Sequence, residues 1–239
     1  MKLGFFLTGT DTEVGKTVVT AGLGLCAKAR GFSLGVLKPL ATGSSESATG
    51  DTSPDAEYLR RILDLEENES AISPIVLSAP LAPFTAARLE SRSLDLAPAR
   101  ARFADLCDNR DVVLVEGIGG IMVPLGTSFY LLDIIKEFGL PAVIVARSGL
   151  GTINHTLLTV QGLARVGVPV AGIILNRAAS GPLSDVEKSS HEEIARFSHK
   201  PVLGILDHLD DVESPEAVRD AFEQTIDVES LLSLPCEPE

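Results

Sequence analysis

The sequence feature that most constrains the fold is the segment GTDTEVGKT at residues 9–17. It follows an apolar run at residues 3–7, and a helical pattern begins at Lys16. A strand, a glycine-bearing loop, Lys-Thr and a helix in that order predict a phosphate-binding loop, because backbone N–H groups and the helix dipole then face one anion. Gly9 lies one position farther from Gly15 than the common spacing has it, so we expect a variant of this loop.

This loop predicts the contacts of a nucleoside triphosphate. The Lys16 ammonium is expected to reach the β- and γ-phosphates, and the Thr17 hydroxyl is expected to bind Mg²⁺. We expect the loop and the first turn of the helix to hold the nucleotide through Glu13, Val14, Gly15, Lys16, Thr17 and Val18.

The rest of the sequence alternates predicted strands and helices. Its 239 residues are 45% hydrophobic and 22% charged, which indicates a globular chain with a sizeable core. Residues 33–40 and 111–116 are almost continuously apolar, as in parallel strands that are buried on both faces. Helix starts are marked by Ser53-Pro54, Ser184 with Glu187, and Ser214-Pro215. We therefore expect an α/β fold with one domain over residues 1–239, a P-loop NTPase-like three-layer α/β/α architecture and a mostly parallel central sheet.

Charge and cysteine content limit the partners and the location. A net charge of −13 disfavours binding to nucleic acid or to an anionic membrane surface. No apolar stretch approaches the roughly 20 residues that span a bilayer, and the N-terminus lacks the pattern of a signal peptide. Cys26, Cys107 and Cys236 are scattered without the spacing of a metal site, and Cys26 is expected in the core. We expect a cytoplasmic protein that binds neither nucleic acid nor membrane.

Polar residues end several predicted strands, at the edge where open parallel sheets bind ligands. They are Lys38, Glu116, Arg147 and Asn176. Glu116 ends the strand at residues 111–116 and precedes glycines, so we interpret it as a Mg²⁺ ligand, and Lys38 as a second cation for phosphoryl transfer. Asp55 opens a helix, where its spacing leaves a metal role and a helix-dipole role equally open. The residues alone predict a Mg²⁺-dependent P-loop enzyme or switch.

In combination, these motifs resemble those of the dethiobiotin synthase family. The most specific is TGTDTEVGKT at residues 8–17. The others follow in family order and comprise Lys38-Pro39, Thr42-Gly43, Asp55-Ala56, VEGIGG at residues 115–120, LGTINH at residues 150–155, and Asn176. The sequence after Asn176 matches only weakly.

The resemblance implies a ligase of biotin biosynthesis. In that family, 7,8-diaminononanoate (diaminopelargonate) takes up CO₂ as a carbamate, which attacks the γ-phosphate of ATP and gives a carbamic–phosphoric anhydride. The neighbouring amine then displaces phosphate and closes the cyclic urea of dethiobiotin. The implied cofactor is Mg²⁺, with ATP as co-substrate.

The resemblance also implies roles for residues by their position. Thr17, Asp55 and Glu116 would bind Mg²⁺, which favours the metal role of Asp55. Lys16 and Lys38 would be the catalytic residues that stabilise charge on the phosphoryl group and the carbamate. The nucleotide-binding positions implied beyond the loop are Asp55, Glu116, Gly117, Ile118, Gly119 and Asn176.

The substrate positions are implied in the same way. Thr12 and Thr42 would hold the diamine end, although serine is common in the family at the second position. Gly151 and Asn154 would face the carboxylate tail across a subunit interface. A homodimer with its substrate site at that interface is therefore implied, and the other partners are small molecules: the diamine, CO₂ or bicarbonate, and ATP.

Some features leave alternatives open. Arg177 stands where relatives usually have an acid, and residues 203–209 lack a Pro-aromatic pair often found there, so another nucleoside triphosphate could replace ATP. The alternative function is a P-loop switch ATPase of the partition or septum-positioning type, but those proteins carry a lysine where this chain has Asp11. A ligase of the cobyrinic acid diamide synthase type would also need a glutaminase domain, for which 239 residues are too few.

Overall fold

A sheet of six parallel strands forms the centre of the fold. The computed structural model describes residues 1–47 and 50–233, with side chains described outside residues 45–51, so that Cys236 lies outside the described part. The described strands are β1 (Leu3–Gly9), β2 (Leu34–Leu37), β3 (Ala41–Thr42), β4 (Ser45–Ser47), β5 (Gly50–Thr52), β6 (Val76–Leu77), β7 (Val112–Gly120), β8 (Ala142–Arg147), β9 (Val170–Asn176) and β10 (Val202–Leu206). The central sheet has the order β10-β9-β8-β1-β7-β2, while β3 pairs with β6 and β4 pairs with β5.

Helices cover both faces of this sheet. Among residues 1–47 and 50–233, no helix is long and apolar enough to cross a bilayer. The described helices are α1 (Lys16–Ala29), α2 (Pro54–Ile62), α3 (Glu69–Ile72), α4 (Pro83–Leu89), α5 (Ala97–Asn109), α6 (Leu131–Phe138), α7 (Thr152–Arg165), α8 (Asp185–Ser198), α9 (Pro215–Thr225) and α10 (Val228–Leu232).

Each face of the sheet has its own apolar core. Phe5 lies in a cluster with side chains of α1, α2, α9 and α10, and its neighbour Phe6 lies in a second cluster with side chains of α5, α6, α7 and α8. Both phenylalanines are fully buried, as strands covered on both faces require. The expected three-layer α/β/α fold with a parallel central sheet is confirmed, and so is the core position of Cys26.

The helix starts follow the side chains that mark them. The hydroxyl of Ser53 accepts a hydrogen bond from the N–H of Ala56, and Ser214 caps α9 in the same way. Ser184 and Glu187 form a capping box at the start of α8, in which each side chain accepts from the other residue's backbone. All three predicted starts are confirmed.

One predicted strand end is wrong. Strand β7 does not stop at Glu116 but continues to Gly120, so the carboxylate lies inside the strand and is fully buried. Glycine is a poor strand former, so the sequence predicts that the strand ends before these glycines. Here they allow close packing, since a Cβ at Gly117 would lie 2.9 Å from the Phe6 ring. The pairing of β7 with β1 continues to Gly9, after a register shift.

Candidate active site

The loop between β1 and α1 depends on glycine at two points. Gly15 has a φ of +87°, and a Cβ there would lie 2.0 Å from the amide nitrogen of Asn176. A Cβ at Gly9 would lie 2.6 Å from the carbonyl oxygen of Asp11. That carbonyl accepts a hydrogen bond of 3.2 Å from the Lys16 ammonium, so the lysine side chain lies back over the loop.

The start of α1 is suited to an anion. The helix begins at Lys16, and no described side chain caps it. The first N–H groups of a helix have no partner within the helix, and they carry the positive end of its dipole. Together with the Lys16 ammonium, which is buried, they can surround phosphate oxygens.

Four polar side chains from different parts of the chain meet beside this turn. The Thr17 hydroxyl donates to Oε1 of Glu116 at 2.9 Å and lies 3.3 Å from Oδ1 of Asp55. The Lys38 ammonium, directly after β2, donates to the same Glu116 oxygen at 2.8 Å and also pairs with Asp55. The sheet order explains the meeting, because β7 lies between β1 and β2. The fold thus brings together residues whose proximity the sequence had only suggested.

Glu116 is the most deeply buried member of this cluster. Its side chain is fully buried, and a buried carboxylate is costly unless charges and donors compensate it. Lys38 supplies the charge, and the Thr20 hydroxyl donates to the second carboxylate oxygen at 2.8 Å. Thr20 belongs to none of the predicted site residues. The available signal was its spacing, since it lies one helical turn after Thr17 and therefore on the same face of α1.

The two lysines have different electrostatic environments. Burial by itself would lower the pKa of Lys38, but the charges of Glu116 and Asp55 outweigh that effect and raise it. Lys38 is therefore held as a cation. Burial lowers the pKa of the Lys16 ammonium, and the attraction of Glu116 offsets this only in part. Lys16 is the less compensated cation, and a bound anion would stabilise its charge.

The oxygen atoms of this cluster fit Mg²⁺. A hydroxyl and two carboxylates converge from Thr17, Asp55 and Glu116, and Mg²⁺ takes oxygen ligands. In the described part of the chain, no group of three His, Cys, Asp or Glu side chains could hold a metal by itself. That agrees with the usual Mg²⁺ site, in which one or two carboxylates are completed by water and substrate phosphate.

The cluster lies in a cleft of about 390 Å³, which we call the phosphate cleft. A second cavity of about 390 Å³ shares Thr12 with it and has a more apolar lining. The phosphate cleft is lined by Thr12, Glu13, Gly15, Lys16, Thr17, Val18, Lys38, Thr42, Asp55, Glu116, Ile118 and Gly119. The second cavity is lined by Thr10, Asp11, Thr12, Gly120, Ile121, Met122, Val123, Pro124, His155, Leu158 and Thr159.

The remaining predicted site residues lie around the phosphate cleft or away from it. The amide of Asn176 donates to the Val14 carbonyl at 3.0 Å, so both residues support the loop from the side of β9. Gly117 lies in β7 behind the cleft. Gly151 and Asn154 are exposed at the start of α7 and line neither cavity. A single chain therefore does not bring these last two residues to the phosphate cleft.

An ion pair at the rim of the loop was also missed. Arg147, the last residue of β8, pairs with the Asp11 carboxylate, whose other oxygen accepts a 2.8 Å hydrogen bond from the N–H of Thr12. Its position at a strand end predicts that Arg147 lies at the ligand-binding edge of the sheet. No sequence signal paired it with an acid 136 positions away.

Solved structures of similar fold include two MinD proteins. The MinD protein of Pyrococcus horikoshii OT3, complexed with Mg-ADP, is 16% identical over 92% of this chain and 86% of that chain, with a TM-score of 0.54. The cell division ATPase MinD of Pyrococcus furiosus is 14% identical over 94% of this chain and 99% of that chain, with a TM-score of 0.55. At these identities the likeness concerns the fold alone.

Sequence comparison is more specific. Residues 4–216 match the family model described as AAA domain. The ATP-dependent dethiobiotin synthetase BioD of Bacillus licheniformis is 39% identical over 96% of each chain, and that of Bacillus velezensis is 42% identical over 96% of this chain and 97% of the relative. The corresponding protein of Anaeromyxobacter sp. strain K is 44% identical over 85% of this chain and 89% of its own length. With a parallel α/β/α fold, a phosphate-binding loop and relatives that match along most of its length, this chain belongs to the ATP-dependent dethiobiotin synthetase family.

Proposed function

We propose that the protein catalyses the ATP- and Mg²⁺-dependent carboxylation and ring closure of 7,8-diaminononanoate with CO₂ to dethiobiotin, as a ligase that forms a cyclic C–N bond. The observation that carries the proposal is the buried Lys38 ammonium, which joins Asp55 and Glu116 beside the phosphate-binding turn. A nucleotide-binding fold needs Lys16 for its phosphates, whereas a second buried lysine supplies positive charge for a second anion.

The reaction brings two anions together, the carbamate and the γ-phosphate. Positioning and charge stabilisation account for most of the catalysis in phosphoryl transfer. Lys16 and the N–H groups of α1 bind the phosphates, while Lys38 holds the carbamate oxygen within reach of the γ-phosphate. A Mg²⁺ ion bound by Thr17, Asp55 and Glu116 would neutralise phosphate charge. The carbamate oxygen attacks the γ-phosphorus and ADP leaves, which gives the mixed anhydride. The second amine then attacks the carbonyl carbon of this anhydride, loses a proton and displaces inorganic phosphate, and the ring closes.

The diamine needs both polar and apolar contacts. Thr12 and Thr42 line the phosphate cleft and offer hydroxyls to the amine end. From Thr12, the second cavity continues past Ile121, Val123 and Leu158, which suit the methylene chain of the substrate. The two cavities thus support one extended binding site that begins at the phosphates.

The carboxylate tail is assigned to a second copy of the chain. Gly151 and Asn154 lie at the surface beside Leu150, whose side chain is 88% exposed. Leu158 and Met122, at the second cavity, are 59% and 58% exposed. We infer that these exposed apolar residues contact a second copy, which would place its own Gly151 and Asn154 opposite the cavity. The proposed assembly is a homodimer.

A phosphate-release assay tests the function. We expect release to need Mg²⁺, a nucleoside triphosphate, bicarbonate and the diamine together, and dethiobiotin to form in equal amount. Parallel reactions with ATP, CTP and GTP give the nucleotide preference. Phosphate release at a similar rate without the diamine would instead support the switch ATPase, which has the same fold.

A further inference from the structure

A buried arginine connects three loops at the carboxyl ends of the strands, on the same side of the sheet as the phosphate-binding loop. Arg177 follows β9 directly, and its side chain is only 5% exposed. Its Nε donates to Oε1 of Glu187 at 2.8 Å, and its Nη1 donates to Oδ1 of Asp207 at 2.8 Å. Its Nη2 donates to the carbonyl of Pro182 at 3.3 Å. Each of the three guanidinium nitrogens therefore has a partner within the protein.

Glu187 extends this cluster to a third loop. One of its oxygens accepts from the hydroxyl of Ser148, after β8, at 2.9 Å. The other accepts from both the N–H and the hydroxyl of Ser184. The backbone N–H of Arg177 also donates to the Leu206 carbonyl at the end of β10. The loops that follow β8, β9 and β10 are thus joined through one guanidinium and one carboxylate, the Arg177–Glu187 pair.

The position of this cluster relates it to the nucleotide. Lys38 and Glu116 lie on the side of β7 and β2, where the terminal phosphate is expected. On the other side of the loop, Asn176 contacts the Val14 carbonyl at the end of β9. A nucleotide with its phosphates at α1 and its terminal phosphate toward β2 extends its base toward β9 and β10. Arg177 is bonded covalently to Asn176, so its fixation limits where that amide can lie.

We propose that Arg177 is a positioning residue for the nucleotide, and that its pairs with Glu187 and Asp207 hold Asn176 and the loop after β10 as the two walls of the base site. Its side chain does not read the base, because its nitrogens face the protein. Arg177 therefore affects nucleotide selectivity only through the walls that it holds. This inference rests on the proposed function only for the presence of a nucleoside triphosphate at the loop.

The test is nucleotide binding by an Arg177→Lys variant. Lysine keeps the charge but offers no planar fork to bridge two carboxylates. We expect the Kd for a non-hydrolysable ATP analogue with Mg²⁺ to rise about tenfold or more, because walls that are no longer fixed must be ordered when the nucleotide binds. The KM for ATP should rise in parallel, while kcat and the KM for the diamine change by less than about twofold. The KM values for ATP, GTP and CTP should become more similar to one another.

Two further variants make the result decisive. Asp207→Asn removes one charge of the cluster at a half-exposed site, so it tests the inference if Arg177→Lys does not fold. Arg219→Ala is the matched control, because Arg219 pairs with its sequence neighbour Asp220 at the surface, and this variant should bind the analogue like the unchanged protein. Melting temperatures of all variants report loss of stability separately from loss of affinity.

The possible outcomes separate this inference from the proposed function. If Arg177→Lys and Asp207→Asn melt at lower temperature but bind the analogue with unchanged Kd, the cluster is structural only and the inference is wrong. If the unchanged protein binds the analogue but never forms dethiobiotin, the proposed function is wrong. Even then, the Kd values of the two variants decide the role of Arg177.

Discussion

At the scale of single residues, the charge of the Lys38 ammonium is compensated before any ligand arrives. Its partners Asp55 and Glu116 carry two negative charges, while Lys16 adds a second positive charge and Glu13 a third negative charge at the same cleft. A Mg²⁺ ion adds two further positive charges to this set, which favours binding of the triphosphate together with the metal. The pairing also explains why Lys38 can be buried without losing its proton, since its pKa is raised by the two carboxylates despite its burial.

Replacement of this residue tests its role directly. We expect Lys38→Ala to lower kcat by about 100-fold or more, because removal of one charge-stabilising donor from an active site typically costs that much. The Kd for an ATP analogue should stay within about threefold, because Lys16 and the start of α1 hold the phosphates. The measurements are the phosphate-release rate with all substrates and calorimetric titration with the analogue.

The control for this variant is Lys2→Ala. That lysine forms a surface pair with Asp111 and is 73% exposed, so its loss should leave the rate unchanged. Lys38→Ala should also lower the melting temperature, since it leaves Glu116 buried without its counter-ion. A folded Lys38→Ala protein with a near-normal rate would show that the charge-stabilising role is wrong.

At the scale of elements, α8 is held in place through its first turn. Glu187 closes the capping box with Ser184 and also accepts from Arg177. The hydrogen bonds from the Ser184 backbone and from Arg177 lower the pKa of this carboxyl to about 2. The group is thus more acidic in the folded chain than in the unfolded chain, where its value is the ordinary 4.5. Its stabilising effect is complete above about pH 4.5 and is lost as the pH falls toward 2.

A comparison with Glu187→Gln measures this effect. At pH 7 the variant should have a lower free energy of unfolding in urea than the unchanged protein. The difference should shrink steadily between about pH 4.5 and pH 2, because protonation removes the same charge from the unchanged protein. A difference that stays constant over that interval would mean that the carboxylate charge of Glu187 does not stabilise the fold.

The elements also show what a sequence can and cannot predict. Helices α2, α8 and α9 begin where Ser53, Ser184 and Ser214 predict, because capping is a local interaction. The end of β7 is not predictable from the sequence because glycine is a poor strand former locally, and only the neighbouring strand β1 shows, through the pairing of Gly120 with Gly9, that the strand continues. The site residues at strand ends were predictable from the rule that ligands bind there.

The features that the sequence does not predict are contacts between distant segments of the chain. The pair of Arg177 with Asp207 joins residues 30 positions apart, and that of Arg147 with Asp11 joins residues 136 positions apart. Neither position has a periodicity or a motif that names its partner, so only the fold could identify them.

At the scale of the whole molecule, one chain forms the phosphate cleft, whereas part of the proposed substrate site lies at the exposed surface of the chain. One chain assembles the phosphate cleft from residues of α1, α2 and β7, together with Lys38. The same chain leaves Leu158 exposed at the second cavity. If the substrate tail is bound between two copies of the chain, this division explains why Gly151 and Asn154 lie away from the phosphate cleft of their own chain.

The last prediction concerns this assembly. We expect the protein to sediment as a dimer, and Leu158→Glu to weaken the dimer by about 100-fold or more, because a two-fold interface would bury the new charge twice. The KM for the diamine should rise in the variant, while the Kd for an ATP analogue stays the same, since the phosphate cleft belongs to one chain. Leu89→Glu is the matched control, because Leu89 is 67% exposed but lines neither cavity. A Leu158→Glu protein that stays dimeric with an unchanged KM would place the interface elsewhere and leave the carboxylate tail to residues of the same chain.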